Sequence, residues 1–330
     1  MPGRLLSLLR RRRVVVALQL LFVGILLGSL AYALRDAWGD AIPRLRDARP
    51  LELLGALGVL ALYYLMFVVG WQWILRDVGV RVSYGVALQA EMASMLAKYV
   101  PGGVWTPMAR ILWLRRFGID RTSLVLGSIL LEAGLSAVSG VLVFVLGLAF
   151  VDAVDPPLAL LVAFAALVLA LIHPRVFVPL SGWIFRRFGG TAAPALRYRA
   201  MLELLVFYSA SWLVGGAALL LMLRALGEDV GLVAIPYLGG TAAVGAIVSV
   251  LTFVAPSGLG VREGSTYGLL LAVTSAGIAL GVTIVNRVAI TLVEALLLAL
   301  AVLVWGVGRR ARGEADARVW REPELDPRSP

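Results

Sequence analysis

Eight charged side chains lie within sequence that is otherwise apolar enough to enter a membrane. Four are basic and four are acidic, and they are Lys98, Arg110, Arg262, Arg287, Glu91, Glu132, Glu263 and Glu294. An unpaired charge at the centre of a bilayer costs about 2.5 to 3.5 kcal/mol on insertion scales, so these side chains cannot all face lipid. They must form interhelical ion pairs or line a wet cavity, and a polar cavity inside a membrane indicates transport.

Two segments rich in proline and glycine lie beside these charges. Residues 99–105 read YVPGGVW and residues 255–263 read APSGLGVRE. Proline removes a backbone donor and glycine permits non-helical dihedral angles, so each segment frees polar backbone that lipid cannot satisfy. The sequence therefore predicts two helix breaks that are buried in protein or line a cavity. The break residues are Pro101, Gly102, Gly103, Pro256, Gly258 and Gly260.

The residues after each break indicate a ligand class. Thr106 and Pro107 are typical of a helix start, with Arg110 in the first turn, and the glycines of the second break lead into a helix that begins near Arg262. A helix N-terminus is a natural seat for phosphate or carboxylate. Because the four basic and four acidic charges cancel, a phosphate-bearing head group that also carries an amine fits as well as a simple anion. The predicted ligand-binding residues are Lys98, Tyr99, Arg110, Glu132, Arg262, Glu263, Arg287 and Glu294.

Composition places the chain among polytopic all-α membrane proteins, since 61% of its 330 residues are hydrophobic and 15% are charged. A transmembrane helix needs about 20 apolar residues. Suitable runs predict about six full spans, at 14–34, 51–75, 122–150, 158–172, 201–223 and 277–308. We expect two re-entrant helical hairpins at 84–117 and 233–274, or eight spans if both hairpins cross. The chain has no cysteine and one histidine, so we expect no metal and no cofactor.

Arginines predict the topology. Most of them lie in alternate loops and in the termini, which places both termini in the cytoplasm of a plasma (bacterial inner) membrane. The net charge of +10 therefore reports orientation rather than nucleic-acid binding. Residues 35–50 fit badly, because they carry four arginines and yet must lie outside. We interpret the first apolar run as an uncleaved anchor rather than a signal peptide. The predicted organisation is a basic tail at 1–13, one transmembrane domain at 14–308 and a disordered cytoplasmic tail at 309–330.

An internal repeat relates the two halves of the transmembrane domain. LELL opens an apolar run at 51 and again at 202, and the proline of each break follows 50 and 54 residues later. Glu132 and Arg287 then each lie 31 residues beyond that proline. Three predicted spans separate the two openings, and an odd number inverts the second copy. We therefore predict inverted repeats at about 51–150 and 202–308, an arrangement typical of transporters.

Three segments carry a family resemblance: KYVPGGVW at 98–105, PSGLGVRE at 256–263, and Asn286-Arg287. They resemble the signatures of the transmembrane region of lysylphosphatidylglycerol synthases, often called flippase-like proteins, over about 14–308. The resemblance implies a helical domain that moves a lipid or lipid-linked head group between leaflets. Family members often carry arginine after the residue that matches Glu132, whereas this chain has Ala133. Aminoacyl transfer in the family belongs to a separate soluble domain, for which the 22 residues after Gly308 leave no room, so we expect a non-enzyme.

Three functions are compatible with these observations. The leading interpretation is a lipid translocase that passes a phospholipid or glycolipid head group through a polar groove between the repeats. The alternatives are a secondary transporter of a small soluble solute and a non-transporting partner of an envelope glycosyltransferase or synthase. A translocase needs a groove that opens laterally to lipid, whereas a solute carrier needs a cavity sealed from it.

Overall fold

The computed structural model describes residues 35–98, 105–151, 196–252 and 258–306, with a few isolated positions between 166 and 179. All regular structure in these ranges is helical, which confirms the predicted all-α class. The helices are α1 (Arg35–Arg46), α2 (Pro50–Asp77), α3 (Tyr84–Ala97), α4 (Trp105–Arg115), α5 (Thr122–Gly147), α6 (Tyr198–Ala225), α7 (Ile235–Leu251), α8 (Val261–Leu270) and α9 (Ala276–Ala301).

Five of the described helical segments are long and apolar enough to cross a membrane. Those around α2, α5, α6 and α9 confirm four of the predicted spans. The fifth, Leu232–Leu251, contains α7, which the sequence places in the second hairpin although its length permits a crossing. The predicted spans at 14–34 and 158–172, and both predicted tails, lie outside the described residues.

The pair formed by α2 and α6 lies at the centre of the bundle and runs antiparallel. At one end the backbone N–H of Arg49 donates to the carbonyl of Ala225 over 2.9 Å. At the other end Ile74 packs in one apolar cluster with Met201 and Leu204. Helix α5 packs against both members of this pair, and so does α9. The four long helices therefore surround the space into which the hairpins project.

The first hairpin returns to the side from which it enters. At 1.5 Å per residue α3 is about 21 Å long and α4 about 16 Å, both short of a hydrocarbon core about 30 Å thick. The Arg121 guanidinium, after α4, donates to the carbonyl of Gly79, before α3, over 3.3 Å. Both ends of this hairpin therefore lie beside the C-terminal end of α2.

The second hairpin begins and ends at the opposite end of the bundle. The hydroxyl of Tyr237, near the start of α7, donates to the carbonyl of Leu269, near the end of α8, over 2.8 Å. Gly258 (φ 63°) and Gly260 (φ 85°) adopt left-handed backbone conformations that favour glycine, so the backbone departs from a regular helix at these positions. The other predicted break residues, Pro101, Gly102, Gly103 and Pro256, lie outside the described residues.

The arginine-rich loop at 35–50 forms α1 and docks on the start of α9. Ala41 is fully buried there, and a Cβ atom on Gly277 would collide with Asp40. Arg49 at the end of this segment meets Ala225, so residues 35–50 lie at the same end of the bundle as the loop at 224–231. That placement agrees with the predicted topology despite the arginines.

Because glycines allow the backbones of α6 and α7 to touch, we expect Gly216→Ala to destabilise the protein. An added Cβ would lie 2.9 Å from the Cα of Gly239, and overpacking of this kind costs about 1 to 3 kcal/mol. Gly134→Ala, in α5, is the matched control, since nothing lies within 4 Å of its added Cβ. Thermal unfolding in detergent should show a lower midpoint for Gly216→Ala alone. Equal midpoints would contradict this packing.

The topology can be tested by single cysteines, because the chain has none of its own. Arg116 and Asp229 are both exposed, at opposite ends of the bundle. In intact cells a membrane-impermeant thiol reagent should label Asp229→Cys, and it should label Arg116→Cys only after permeabilisation. The reverse pattern would overturn the predicted orientation.

Candidate functional site

Three charged residues on three helices form a buried group, which we call the Arg110 cluster. Arg110 on α4 lies between Glu91 on α3 and Glu132 on α5. Its Nη2 lies 3.1 Å from Oε1 of Glu91, and its Nη1 donates to Oε2 of Glu132. None of the three residues is more than 5% exposed. The cluster therefore ties both arms of the first hairpin to a long helix.

Two further contacts fix the Arg110 guanidinium. Its Nε donates to the hydroxyl of Ser94 over 3.2 Å, and its central carbon lies 4.5 Å from the centre of the Trp71 ring. Trp71 is itself held by a 3.0 Å hydrogen bond from its indole nitrogen to Ser128. Trp105 and Thr106 are already helical, so Arg110 lies beyond the predicted first turn. In the structure the ionic partners of Arg110 are therefore the carboxylates of Glu91 and Glu132.

A second group lies at the start of α8. Arg262 and Glu263 occupy its first turn, and the Nε of Arg287 on α9 is 3.2 Å from Oε1 of Glu263. The other carboxylate oxygen of Glu263 accepts a 2.6 Å hydrogen bond from the backbone N–H of Gly260. Both oxygens of Glu263 are therefore used in holding the helix start against α9.

A small cleft opens beside this group, and we call it the α8 cleft. It is lined by Arg262, Glu263, Thr266, Thr283, Asn286, Arg287 and Ile290. Among the residues that the structure describes, the Arg262 guanidinium has no ion-pair or hydrogen-bond partner. Two guanidinium groups and one carboxylate give the cleft a net charge of +1.

A third contact joins the two halves of the protein, and we call it the Lys98–Glu294 bridge. Lys98, just after α3, has its Nζ 2.5 Å from Oε1 of Glu294 on α9. The hydroxyl of Tyr64 on α2 donates to the same oxygen over 2.7 Å. Glu294 is fully buried, so a side chain of the second half is held by two groups of the first.

Each half has an ion pair between a hairpin arm and a long helix, and the two pairs have opposite polarity. In the first half Arg110 lies on the hairpin arm and Glu132 on the long helix. In the second half Glu263 lies on the hairpin arm and Arg287 on the long helix. The positions on the long helices, Glu132 and Arg287, are those that the repeat spacing matches. The structure thus brings seven of the eight predicted charged residues into three contacts. The eighth, Arg262, lines the α8 cleft, and Tyr99 lies outside the described residues.

Sequence reasoning missed the aromatic residues that surround these charges. Tyr64 and Trp71 contact the charged groups directly, and the partly buried Tyr63 lies within electrostatic range of Glu91, Glu294 and Arg262. In the sequence these rings are typical of an apolar helix core. Their spacing offers no signal, because the charged residues concerned are at least 28 positions away in the chain.

Together the spanning helices, the hairpins and the buried charges define a polytopic membrane protein with a polar interior. The sequence model described as "Lysylphosphatidylglycerol synthase TM region" matches residues 16–299. The chain therefore belongs to that family, which confirms the family resemblance inferred from the Pro-Gly segments. A comparison with curated proteins found no match.

We expect Arg110→Met to destabilise the protein strongly, because it leaves Glu91 and Glu132 buried without their shared cation. Breaking a buried pair in this way costs about 3 to 5 kcal/mol. Arg115→Met on the same helix is the control, since its side chain is 49% exposed and surface pairs contribute about 0 to 1 kcal/mol. Unfolding in detergent should separate the two variants. Equal stability would show that Arg110 does not neutralise the carboxylates.

Proposed function

We propose that the protein is a lipid translocase of the bacterial inner membrane. It moves the phosphate-bearing head group of a phospholipid or glycolipid between leaflets while the acyl chains remain in lipid. The observation that carries the proposal is Arg262, a cation without a partner among the described residues, at a helix N-terminus and in a cleft of net positive charge. A phosphate is the anion that a membrane supplies in abundance.

Charge is distributed unequally between the Arg110 cluster and the α8 cleft. This distribution favours an anionic group as the ligand of the cleft. The eight charges sum to zero, but the Arg110 cluster holds two carboxylates against one cation, and the α8 cleft holds two cations against one carboxylate. The excess positive charge is therefore in the cleft, and Glu263 is already occupied by Arg287 and by Gly260. A phosphate bound between Arg262 and Arg287 would balance the cleft.

Lys98 extends the proposed site toward the centre of the protein. It lies within electrostatic range of Arg262 and Arg287, although Glu294 is its contact in this conformation. A head-group phosphate in the cleft would compete with Glu294 for Lys98. Release of Glu294 would leave a carboxylate free to hold an amine on the same head group.

Two matched sets of helices support an inverted repeat. Helices α2 and α6 have 28 residues each, and α5 and α9 have 26 each. Helices α2 and α5 flank the first hairpin in the chain, and α6 and α9 flank the second. The two hairpins enter from opposite ends of the antiparallel pair α2 and α6. We infer that transport occurs by rocking one repeat against the other, as in other inverted-repeat transporters. The Lys98–Glu294 bridge joins the repeats and must break in that motion.

The α8 cleft is narrow, with a cavity volume of about 10 Å³. That is about the room of one water molecule, so neither a phosphate nor a whole head group fits in this conformation. We infer that this conformation is closed, and that separation of the repeats opens the cleft laterally to lipid. The proposal assigns no covalent chemistry to the protein, and an envelope synthase or glycosyltransferase would supply or use the lipid.

Lipid flipping in proteoliposomes tests the proposal. A head-group-labelled phospholipid should move between leaflets faster with the wild type than in protein-free vesicles. Arg262→Gln should slow this movement about tenfold or more, because a hydrogen bond to a charged group contributes about 1.5 to 3 kcal/mol. Lys98→Ala should also slow it. Arg46→Gln, at an exposed position of α1, is the matched control and should flip as the wild type does.

This experiment tests the translocase activity and the proposed binding site separately. A wild type that does not accelerate flipping would refute the translocase and favour a solute carrier or a partner subunit. Flipping that is equal in the wild type, Arg262→Gln and Lys98→Ala would reject the site while retaining the activity.

A further inference from the structure

The Arg110 cluster contains one negative charge too many for its surroundings. Two carboxylates, Glu91 and Glu132, share one guanidinium, and all three side chains are essentially inaccessible to solvent. A buried ionised carboxylate without a full partner is so unfavourable that such a group normally takes up a proton. Lys98, the basic residue that follows α3, is engaged by Glu294.

The two carboxylates are not held equally. Glu132 accepts a direct hydrogen bond from Arg110, whereas neither oxygen of Glu91 has a hydrogen-bond partner among the described residues. The hydroxyl of Tyr208 on α6 is likewise buried and without a described partner, and it lies within electrostatic range of both carboxylates. Glu91 is therefore the weaker partner of Arg110.

Other groups near the cluster do not supply the missing positive charge. Helix α2 contributes the phenol of Tyr63, α3 contributes that of Tyr84 and α6 that of Tyr208. Helix α9 carries Glu294, which is negative and paired with Lys98, and Arg287, which is paired with Glu263. Helix α7 carries no charged residue. Within the described part of the chain, the ionic charges that act on Glu91 are those of Arg110 and Glu132.

We propose that the Arg110 cluster binds one proton, carried by Glu91, and that exchange of this proton with water couples lipid movement to the transmembrane proton gradient. The second half of this statement rests on the proposed translocase, whereas the proton site does not. Uptake converts the Glu91 carboxylate to a carboxylic acid and brings the cluster to net zero charge. Release restores a second anion beside Arg110.

Helix α3 provides the physical connection to the transport site. Glu91 and Lys98 are seven residues apart, so they lie on the same face of that helix, two turns from each other. Loss of the proton strengthens the attraction between Glu91 and Arg110 and so shifts α3 relative to its neighbours. The same helix carries Lys98 into or out of contact with Glu294, and the charge of Glu91 thereby biases the bridge between the repeats.

Infrared spectroscopy of the purified protein tests the proton site without any lipid transport. At neutral pH the wild type should show the carbonyl band of a protonated carboxylic acid in an apolar environment. Glu91→Gln should abolish it, and so should Glu132→Gln, because either change leaves one carboxylate paired with Arg110 and needs no proton. Glu203→Gln, on the exposed face of α6, is the control and should retain the band. Absence of the band in the wild type, or its persistence in both cluster variants, would overturn the proposal.

A pH gradient across proteoliposomes tests the coupling. The wild-type rate of flipping should change when the inside and outside differ in pH, and the rate of Glu91→Gln should no longer respond. Glu203→Gln should respond as the wild type does. Flipping by the wild type that ignores the gradient would refute the coupling while leaving the translocase intact. If the infrared band is present but no lipid moves, the translocase is refuted and the proton site stands.

Discussion

Neutralisation of buried charge is the constraint on which the rest of this structure depends. The interior of a membrane protein offers little solvation, so each ionised side chain needs a partner of opposite sign close by. Arg110 lies between Glu91 and Glu132, and thereby holds the two short arms of the first hairpin against a long helix. Arg287 likewise pairs with Glu263 at the second hairpin. Without these pairs the hairpins would carry unsatisfied charge into the membrane, and their short helices bury too little apolar surface to compensate.

The same constraint applies to the hairpin of each half. An ion pair between hairpin arm and long helix works with either polarity, so the first half carries Arg110 against Glu132 and the second carries Glu263 against Arg287. What is left over after pairing is then unequal: a surplus carboxylate in the first half and a surplus guanidinium, Arg262, in the second. In our proposals the surplus carboxylate takes up a proton, and the surplus guanidinium binds a phosphate.

Much of the fold was predictable from the sequence, because lipid imposes long apolar runs and makes helix breakers conspicuous. The spans around α2, α5, α6 and α9 and the break at Gly258 and Gly260 follow from that rule alone. The partners of the charges were not predictable. Glu294 and Arg287 share a helix face, yet one turns toward Lys98 and the other toward Glu263, and this choice depends on how distant helices pack. The contacts of Tyr64 and Trp71 with the charged groups were not predictable for the same reason, since an aromatic residue in an apolar run is typical of a hydrophobic core.

The central claim, that the surplus cation of the α8 cleft holds a lipid phosphate, is tested most directly by photo-crosslinking. A phospholipid with a photoreactive head group is incorporated into vesicles with the protein, and the modified peptides are identified by mass spectrometry. The account predicts labelling of α8 and the facing part of α9 in the wild type, and its loss in Arg262→Gln. Labelling confined to other helices, or labelling of α8 that persists without Arg262, would contradict it.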